Sequence, residues 1–248
     1  MTDRPSNSAA IVTGHSRGLG AAIAAELLSR GIPVLGASRH ENPELREQFP
    51  SLLRQESVDL SDAGAVARFA DSVAFREFTT SARQPCLVNN AGLLEPIGPL
   101  QSQHVDDVAR AVAVNVAAVL MLSVAFVKHT AQSGDRRILQ ISSGAGRKAY
   151  AGWSVYCSTK AALDHHARCV AMDHTPGLRI ASTAPGVIDT DMQALIRAST
   201  DANFPDRPRF VEMHREGKLR SAQAVSRALA DFLLSDAFGA EPVNEMTY

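Results

Sequence analysis

The stretch Thr13-Gly14-His15-Ser16-Arg17-Gly18-Leu19-Gly20 follows the apolar run Ala9–Thr13 and leads directly into a helix-forming run that begins at Ala21. This order predicts a buried strand, a glycine-rich turn and a helix. Glycines let the backbone turn tightly and come close to a pyrophosphate, and the amino end of a helix offers N–H donors without intrahelical partners. Because the glycine spacing alone is weak evidence, the prediction depends on its place after the first strand. We expect the loop to bind nucleotide phosphates through Gly14, Ser16, Arg17, Gly18, Leu19 and Gly20.

Short apolar runs alternate with longer amphipathic stretches along most of the chain. The predicted strands are Ala9–Thr13, Ile32–Ala37, Arg54–Val58, Leu87–Asn89, Arg137–Ile141 and Arg179–Thr183. The predicted helices are Gly18–Arg30, Ala63–Phe78, Val105–Lys128 and Ser154–Asp173. Such alternation is typical of a mostly parallel sheet covered by helices. The sequence therefore predicts an α/β fold: one Rossmann-type domain over residues 1–248, with a doubly wound parallel sheet of about seven strands and helices on both faces.

The rhythm of strands and helices is interrupted near residues 190–218. Within this excursion, Ala198–Lys218 carries Asn203, two prolines and Gly217 among charged residues. Long excursions in compact domains tend to be functional or mobile. Both a flap over a substrate and a surface loop are compatible with this composition.

Composition and charge exclude several classes of protein. The 248 residues are 45% hydrophobic and 21% charged, with a formal net charge of -1. That balance gives no electrostatic reason to expect nucleic acid or an anionic membrane as the main partner. The N-terminus lacks a signal-like apolar core and no long apolar run suggests a membrane span, so we expect a cytoplasmic protein.

The sequence predicts no metal site. Cys86, Cys157 and Cys169 are odd in number and show no metal-ligand spacing, which fits reduced thiols better than a disulfide framework. His165, His166 and His174 show no metal-binding pattern either.

The end of the second predicted strand bears on the choice of cofactor. A site that prefers the non-phosphorylated dinucleotide usually carries an acidic residue there, for the ribose 2′-hydroxyl. This chain instead has Ala37-Ser38-Arg39-His40. Arg39 can pair with a 2′-phosphate, Ser38 can donate to it, and Arg17 lies in the adjacent loop. We therefore predict NADP(H), although either arginine alone could be an ordinary solvated side chain.

Tyr156 and Lys160 are four residues apart, so a phenol and an ammonium share one helix face. A free tyrosine titrates near ~10, and a nearby positive charge favours its phenolate. We expect Lys160 to lower the pKa of Tyr156 and so to make the phenol a proton donor. The alternative is a packed ring whose hydroxyl has one ordinary partner.

Several further motifs follow in a fixed order along the chain. They are Val58-Asp59-Leu60, Asn89-Asn90-Ala91-Gly92, Asn115, Ile141-Ser142-Ser143, the Tyr156 and Lys160 pair, and Pro185-Gly186. Together with the glycine loop, this series resembles the short-chain dehydrogenase/reductase family over nearly the whole chain. The stretches Gly152–Cys157, Ala184–Gln193 and Gly217–Leu219 are most similar to the sepiapterin reductases and bacterial benzil reductases.

The resemblance implies roles for individual residues. Asn115, Ser143, Tyr156 and Lys160 are the implied catalytic set, in which Asn115 holds a water in a proton relay and Lys160 also touches the nicotinamide ribose. Ser142 is a rival for Ser143, but the interval from Ser143 to Tyr156 matches the serine of the family. Further implied cofactor contacts are Asp59, Leu60, Asn90, Ala91, Gly92, Pro185, Gly186, Val187, Thr190 and Met192. From the residues alone, Asp59 could equally cap a helix and Asn90 could lie in a turn.

The implied activity is NADPH-dependent reduction of a ketone or vicinal dicarbonyl, of benzil, diketone or sepiapterin type, with Tyr156 as general acid. Alternatives are a catalytically silent protein that senses NADP(H), or a short-chain alcohol dehydrogenase for another secondary alcohol or ketone. The family usually forms homodimers or homotetramers. We expect substrate contacts from Leu93, Leu94, Ser143, Trp153, Tyr156, Gly186, Met192 and Asn244. Asn244 stands where sepiapterin reductases are expected to carry an aspartate, which favours a plain aromatic or dicarbonyl substrate over a pterin.

Overall fold

A seven-stranded parallel sheet forms the centre of the protein. The computed structural model describes residues 7–246. The strands are β1 Ser8–Thr13, β2 Val34–Ser38, β3 Leu53–Ser57, β4 Gln84–Asn89, β5 Arg136–Ile141, β6 Leu178–Ala184, β7 Ile188–Asp189, β8 Arg220–Ser221 and β9 Val243–Glu245. Their order in the main sheet is β3-β2-β1-β4-β5-β6-β9, whereas β7 and β8 pair separately. The predicted Rossmann-type sheet is confirmed, and the strand order reverses between β1 and β4, where this fold opens a ligand crevice.

Helices cover both faces of the sheet. They are α1 Gly18–Ser29, α2 Pro43–Gln48, α3 Ala63–Ala70, α4 Val73–Thr80, α5 Val105–Val112, α6 Ala118–His129, α7 Ser154–Met172, α8 Asp191–Ala198, α9 Arg207–Arg215 and α10 Ala222–Leu234. On one face, Leu27 of α1 and Leu229 of α10 pack in one core. On the other face, Phe75 of α4 and Phe126 of α6 pack in a second core. The central strands β1 and β5 are buried along their whole length, as expected for a parallel sheet covered on both faces.

Two of the predicted helices depart from a regular α-helix in the structure. The single helix expected over Ala63–Phe78 is wrong, because the Ser72 hydroxyl accepts a hydrogen bond from the Phe75 N–H at 3.1 Å and starts α4 afresh. The helix expected over Val105–Lys128 is continuous but contains a π-helical turn at Ala113–Ala117. Single π-helical turns within α-helices are frequent at functional sites.

The excursion near residues 190–218 is largely helical. It contains α8 and α9, and β7 and β8 pair in parallel at its two ends. The seventh strand of the main sheet, β9, runs parallel to β6 with Thr183 opposite Asn244.

One helical segment, Val105–His129, is long and apolar enough to cross a membrane by length and composition alone. The expectation that no apolar run is long enough for a membrane span is therefore wrong for this segment. Ala118, Leu122 and Phe126 on this segment are buried against the sheet. The segment therefore packs as a core helix of the domain.

Candidate active site

A cavity of about 860 Å³ opens at the carboxyl ends of the central strands. Its walls include all of the residues that the sequence analysis assigned to the cofactor, from Gly14 to Met192. They also include Ser143, Leu94, Trp153 and Tyr156. Asn115 and Asn244 are not among the lining residues. The fold thus gathers side chains from six separate motifs at one crevice.

The glycine-rich loop requires glycine for steric reasons. Gly14 and Gly18 have φ angles of 71° and 57°, in the left-handed region that side chains disfavour. At Gly20, a Cβ atom would lie 2.1 Å from the Gly14 carbonyl oxygen. The loop therefore folds back onto the amino end of α1 and leaves the helix N–H groups open to a phosphate.

Hydrogen bonds join this loop region to the segment that follows β4. The Thr13 hydroxyl accepts from the N–H groups of Asn90 and Ala91 at 3.0 and 3.1 Å. The Asn90 side-chain amide donates to the Thr13 carbonyl oxygen at 3.0 Å. The two segments on either side of the strand-order reversal are thereby held close together, in a cradle that fits a dinucleotide.

The far end of the cavity carries exposed positive charge. Arg17 and Arg39 both line it, and the Arg17 guanidinium forms an exposed ion pair with Asp191 of α8 at 3.2 Å. Hydrogen bonds from Ser61 hold the pKa of Asp59 below its usual value, and the charge of Arg39 adds to this effect. Two exposed guanidinium groups at this end could pair with a phosphate.

Ser38 is less available to a ligand than the sequence suggested. Its hydroxyl donates to the His40 carbonyl oxygen at 2.6 Å and lies 3.1 Å from Nδ1 of His15. His15 is fully buried, and its Nε2 lies 2.7 Å from Oε1 of Gln55. Burial lowers the pKa of His15. Sequence reasoning missed His15, since a histidine within a glycine loop gives no sign of being buried.

Tyr156 and Lys160 lie on one face of α7, as their spacing predicts. The Lys160 ammonium donates to the Ile141 carbonyl oxygen at 2.8 Å, and its nitrogen is 5.6 Å from the centroid of the Tyr156 ring. Burial raises the pKa of Tyr156 to about 12, against the effect of a hydrogen bond with Ser143. Burial also lowers the pKa of Lys160 to about 8, against the charge of Asp164. The pKa of Tyr156 is therefore raised and not lowered as expected from its spacing to Lys160, and the phenol is in its proton-donating form at neutral pH.

The two adjacent serines after β5 have different surroundings. The Ser142 hydroxyl is buried and donates to Oδ1 of Asp164 at 2.7 Å. The Ser143 hydroxyl faces the cavity side of the same strand end, where it interacts with Tyr156 and accepts from the Ala145 N–H at 3.2 Å. Both serines line the cavity, but the Ser142 hydroxyl is already bonded to Asp164, whereas the Ser143 hydroxyl interacts with Tyr156.

Asn115 lies in the π-helical turn and is 1% exposed. Its side chain accepts from the Leu93 N–H at 2.7 Å and donates to the Leu93 carbonyl oxygen at 2.8 Å. Its amide also donates to the Thr159 hydroxyl at 3.1 Å. Asn115 thus connects the segment after β4 to α7, one residue before Lys160.

A cluster of aromatic side chains, here called the aromatic wall, lies beside Tyr156. It consists of Tyr150, Trp153, Phe204 and Phe210. Trp153 is 4% exposed and stacks on Phe204, with ring centroids 4.2 Å apart and planes within 6°. Tyr150 and Phe210 also pack on the indole, at 5.2 and 5.7 Å between centroids. Phe204 and Phe210 come from the excursion, so this segment includes part of the wall of the site. Sequence reasoning missed both rings; the only signal was two phenylalanines in an otherwise polar stretch.

Asn244, an expected substrate contact, does not line the cavity. Its side-chain amide donates to the Glu241 carbonyl oxygen at 3.1 Å. The neighbouring residue, Glu245, lines the cavity instead.

Among residues 7–246, no group of three or more His, Cys, Asp or Glu side chains could hold a metal ion. All three cysteines are free. Burial raises the pKa of the Cys86 thiol to about 12, which keeps it protonated within the sheet.

Comparison with known proteins defines the class to which this fold and site belong. A family model described as short chain dehydrogenase matches residues 8–201. The chain therefore belongs to the short-chain dehydrogenase/reductase family of oxidoreductases.

Individual relatives show which members of the family the chain is similar to. The chain is 36% identical over 240 residues to benzil reductase ((S)-benzoin forming) of Bacillus cereus, covering 92% of this chain and 94% of that protein. It is 32% identical over 247 residues to sepiapterin reductase of Xenopus tropicalis, covering 92% of each. A crystal structure of a short-chain dehydrogenase/reductase from Burkholderia vietnamiensis is 47% identical, covers 96% of each chain and has a TM-score of 0.72. The predicted resemblance to benzil and sepiapterin reductases is confirmed.

Proposed function

We propose that this protein is an NADPH-dependent carbonyl reductase for ketones and vicinal dicarbonyls that carry a flat apolar group. The observation that carries the proposal is the buried Tyr156 phenol. It is protonated at neutral pH, interacts with Ser143, packs against Trp153 and lines the same cavity as the glycine loop. The bacterial benzil reductases among the relatives support the same class of substrate.

Reduction of a carbonyl requires a hydride at carbon, a proton at oxygen and stabilisation of the charge that develops on oxygen. Bound NADPH would supply the hydride. Tyr156 donates the proton to the carbonyl oxygen, and the Ser143 hydroxyl donates a hydrogen bond to the same atom. Lys160 keeps a positive charge next to the phenol as it gives up its proton, which favours the phenolate.

The chain's own residues also fit the cofactor. The glycine loop and the amino end of α1 would hold the pyrophosphate. Arg17 and Arg39 would pair with a 2′-phosphate, and no acidic side chain ends β2 where a ribose 2′-hydroxyl would be bound. Preference for NADP(H) over NAD(H) follows from these two charges.

The aromatic wall supports a flat substrate. Trp153, Tyr150 and Phe210 line the cavity within one packed group, next to the proton donor. Aromatic rings favour stacked or edge-on contacts with other rings. An aryl group bound there would bring its neighbouring carbonyl close to Tyr156 and Ser143.

The proposal is tested by following NADPH oxidation with benzil, aliphatic diketones, quinones and sepiapterin, and by repeating the assay with NADH. We expect turnover with benzil, and a higher kcat/KM with NADPH than with NADH. Tight binding of NADPH without turnover of any carbonyl would instead identify a protein that senses the dinucleotide. Equal use of NADH would overturn the proposed cofactor preference while leaving the reaction class intact.

A further inference from the structure

Asp164 is a buried carboxylate next to the candidate catalytic residues. It is 1% exposed and lies one helical turn after Lys160 on α7. Its Oδ1 accepts two hydrogen bonds of 2.7 Å, from the hydroxyls of Ser142 and Ser182. Charged side chains are almost never this deeply buried unless they are paired. Neither the proposed proton donation nor the proposed binding of the cofactor uses this carboxylate.

The two serines connect Asp164 to the ends of two strands beside the cavity. Ser142 directly follows β5 and precedes Ser143, and its N–H donates to the Thr183 carbonyl oxygen at 2.9 Å. Ser182 lies on β6, shortly before Pro185 and Gly186, which line the cavity. One carboxylate therefore joins α7 to the ends of two neighbouring strands.

Lys160 makes a second connection of the same kind. Its ammonium donates to the carbonyl oxygen of Ile141, the residue before Ser142, at 2.8 Å. Lys160 and Asp164, one turn apart on α7, are thus hydrogen-bonded to the consecutive residues Ile141 and Ser142. This pair of bonds fixes the helix that carries Tyr156 relative to the strand end that carries Ser143.

The other carboxylate oxygen is poorly neutralised. Oδ2 of Asp164 has no hydrogen-bond partner among residues 7–246, and the nearest cationic atom in an ion pair is Nε of Arg147 at 3.9 Å. A Cβ atom at Gly146 would lie 3.0 Å from this oxygen, so the loop approaches closely only because residue 146 is glycine. The negative charge of Asp164 acts on the Lys160 ammonium, because both groups are buried and lie one turn apart on α7.

Few other ionisable groups surround this pair. Tyr156 and Cys157 lie on α7 itself, and Arg147 lies on the loop before it. The strands β5 and β6 contribute the hydroxyls of Ser142 and Ser182, and Glu245 of β9 lines the same cavity. The charge of Asp164 opposes the effect of burial, which lowers the pKa of Lys160.

We propose that Asp164 is a positioning residue of the catalytic site. Through Ser142 it fixes the position of Ser143 relative to Tyr156, and through its charge it keeps the Lys160 ammonium protonated. The role in turnover rests on the proposed carbonyl reductase function. The electrostatic role concerns Lys160 alone and is measurable without any substrate.

The electrostatic part is tested by NMR titration of lysine side chains in the whole protein. The chain has only four lysines, Lys128, Lys148, Lys160 and Lys218, so labelled lysine gives few signals, and Lys160→Arg identifies the buried one. In Asp164→Asn, which keeps the shape and an acceptor oxygen but removes the charge, we expect Lys160 to titrate at lower pH than in wild type. The dissociation constant of NADPH should rise in the same variant. An unchanged titration of Lys160 would overturn the electrostatic role.

The positioning part is tested with two serine variants that each remove one hydrogen bond to the same oxygen. Ser142→Ala should lower kcat for benzil reduction. The decrease should be at most about 100-fold, which is what a small misplacement of a catalytic group can cost. The NADPH affinity and Lys160 titration of this variant should remain those of wild type. Ser182→Ala is the matched control, since it loses an equal bond that is not attached to Ser143, and its kcat should fall much less.

Equal loss of kcat in the two serine variants, or wild-type kcat in Ser142→Ala, would overturn the positioning role. Thermal unfolding shows whether each variant folds. If Asp164→Asn does not fold, the serine pair still decides the positioning role. If the wild type reduces no carbonyl, the proposed function fails, and the lysine titration still decides the electrostatic role.

Discussion

The indole of Trp153 lies face to face on the ring of Phe204, with centroids 4.2 Å apart, although the two residues are about fifty positions apart in sequence. This contact joins the start of the helix that carries Tyr156 to the part of the excursion that lies between α8 and α9. It makes the excursion part of the candidate site.

Phe204→Ala should impair both substrate binding and stability. The ring is fully buried, and removal of a buried phenylalanine typically costs about 3–5 kcal/mol of unfolding free energy. We expect a lower Tm and a higher KM for benzil, with a much smaller change of KM for an aliphatic diketone. Phe238→Ala is the matched control, because Phe238 is equally buried but packs in the core that contains α1 and α10. A similar rise of KM for benzil in both variants would contradict a specific role for the aromatic wall.

Tyr156→Phe should remove the proton donor and leave the ring packing intact. We expect kcat to fall by about 10²–10⁴, the usual contribution of general acid catalysis, with little change in the dissociation constant of NADPH. Steady-state rates and a fluorescence titration of NADPH measure the two quantities. Wild-type turnover by the variant would exclude Tyr156 as the acid.

The plot of kcat/KM for NADPH against pH should decline once on its basic side, because Lys160 loses its proton. Because burial lowers the pKa of Lys160 to about 8 and raises that of Tyr156 to about 12, the lysine loses its charge first as pH rises. The kcat/KM for NADPH, which reports the free protein, should therefore decline above pH about 8. A profile that stays flat well beyond that pH would contradict the assignment, and Lys160→Arg should move the decline to higher pH.

The same two shifts predict how stability changes with pH. Lys160 has a lower pKa in the folded protein than when unfolded, so the unfolded chain binds more protons between about 8 and its usual value of 10.5. The contribution of Lys160 to the unfolding free energy therefore rises as pH increases through this window. The raised pKa of Tyr156 has the opposite effect at higher pH, between 10.0 and about 12. Denaturant unfolding gives the unfolding free energy of wild type and of Lys160→Met at each pH. The difference between the two should shrink as pH rises from about 8 to 10.5.

The cofactor preference should depend on the two arginines more than on Ser38. A hydrogen bond to a charged group contributes about 1.5–3 kcal/mol, so Arg39→Ala and Arg17→Ala should each raise the KM for NADPH roughly 10- to 100-fold. The KM for NADH should change little. Ser38→Ala should have a small effect, because that hydroxyl is already bonded to the His40 carbonyl oxygen. Arg68→Ala, an exposed arginine paired with Asp62, is the control. Equal changes with NADPH and NADH would contradict phosphate recognition.

Those features that depend on a short stretch of chain were predictable from sequence. The glycine loop, the Tyr156 and Lys160 pair and most strands are local patterns, because strand burial and helix spacing are decided by neighbouring residues. The break at Ser72 was missed, because a serine within an apolar period can equally face solvent from inside a helix. The strand β9 is only three residues long and half-buried, so it carries no periodic signal.

Contacts between distant segments account for the rest. The position of Phe204 against Trp153 depends on how the excursion folds back, which no local pattern specifies. The different surroundings of Ser142 and Ser143 depend on Asp164, which is about twenty residues further along the chain. The pKa of Tyr156 was predicted in the wrong direction, because the effect of burial on the phenol follows from the whole fold and not from its spacing to Lys160.

The aromatic wall has a consequence for attempts to change what this protein accepts. Trp153, Phe204 and Phe210 form one buried cluster with Tyr156, so the rings that shape the cavity also stabilise the fold. Shortening these side chains to admit bulkier ligands would also remove the packing that keeps the excursion folded. Substrate range in this scaffold should therefore widen only in variants that first gain stability elsewhere, for example in the remote core around α1 and α10.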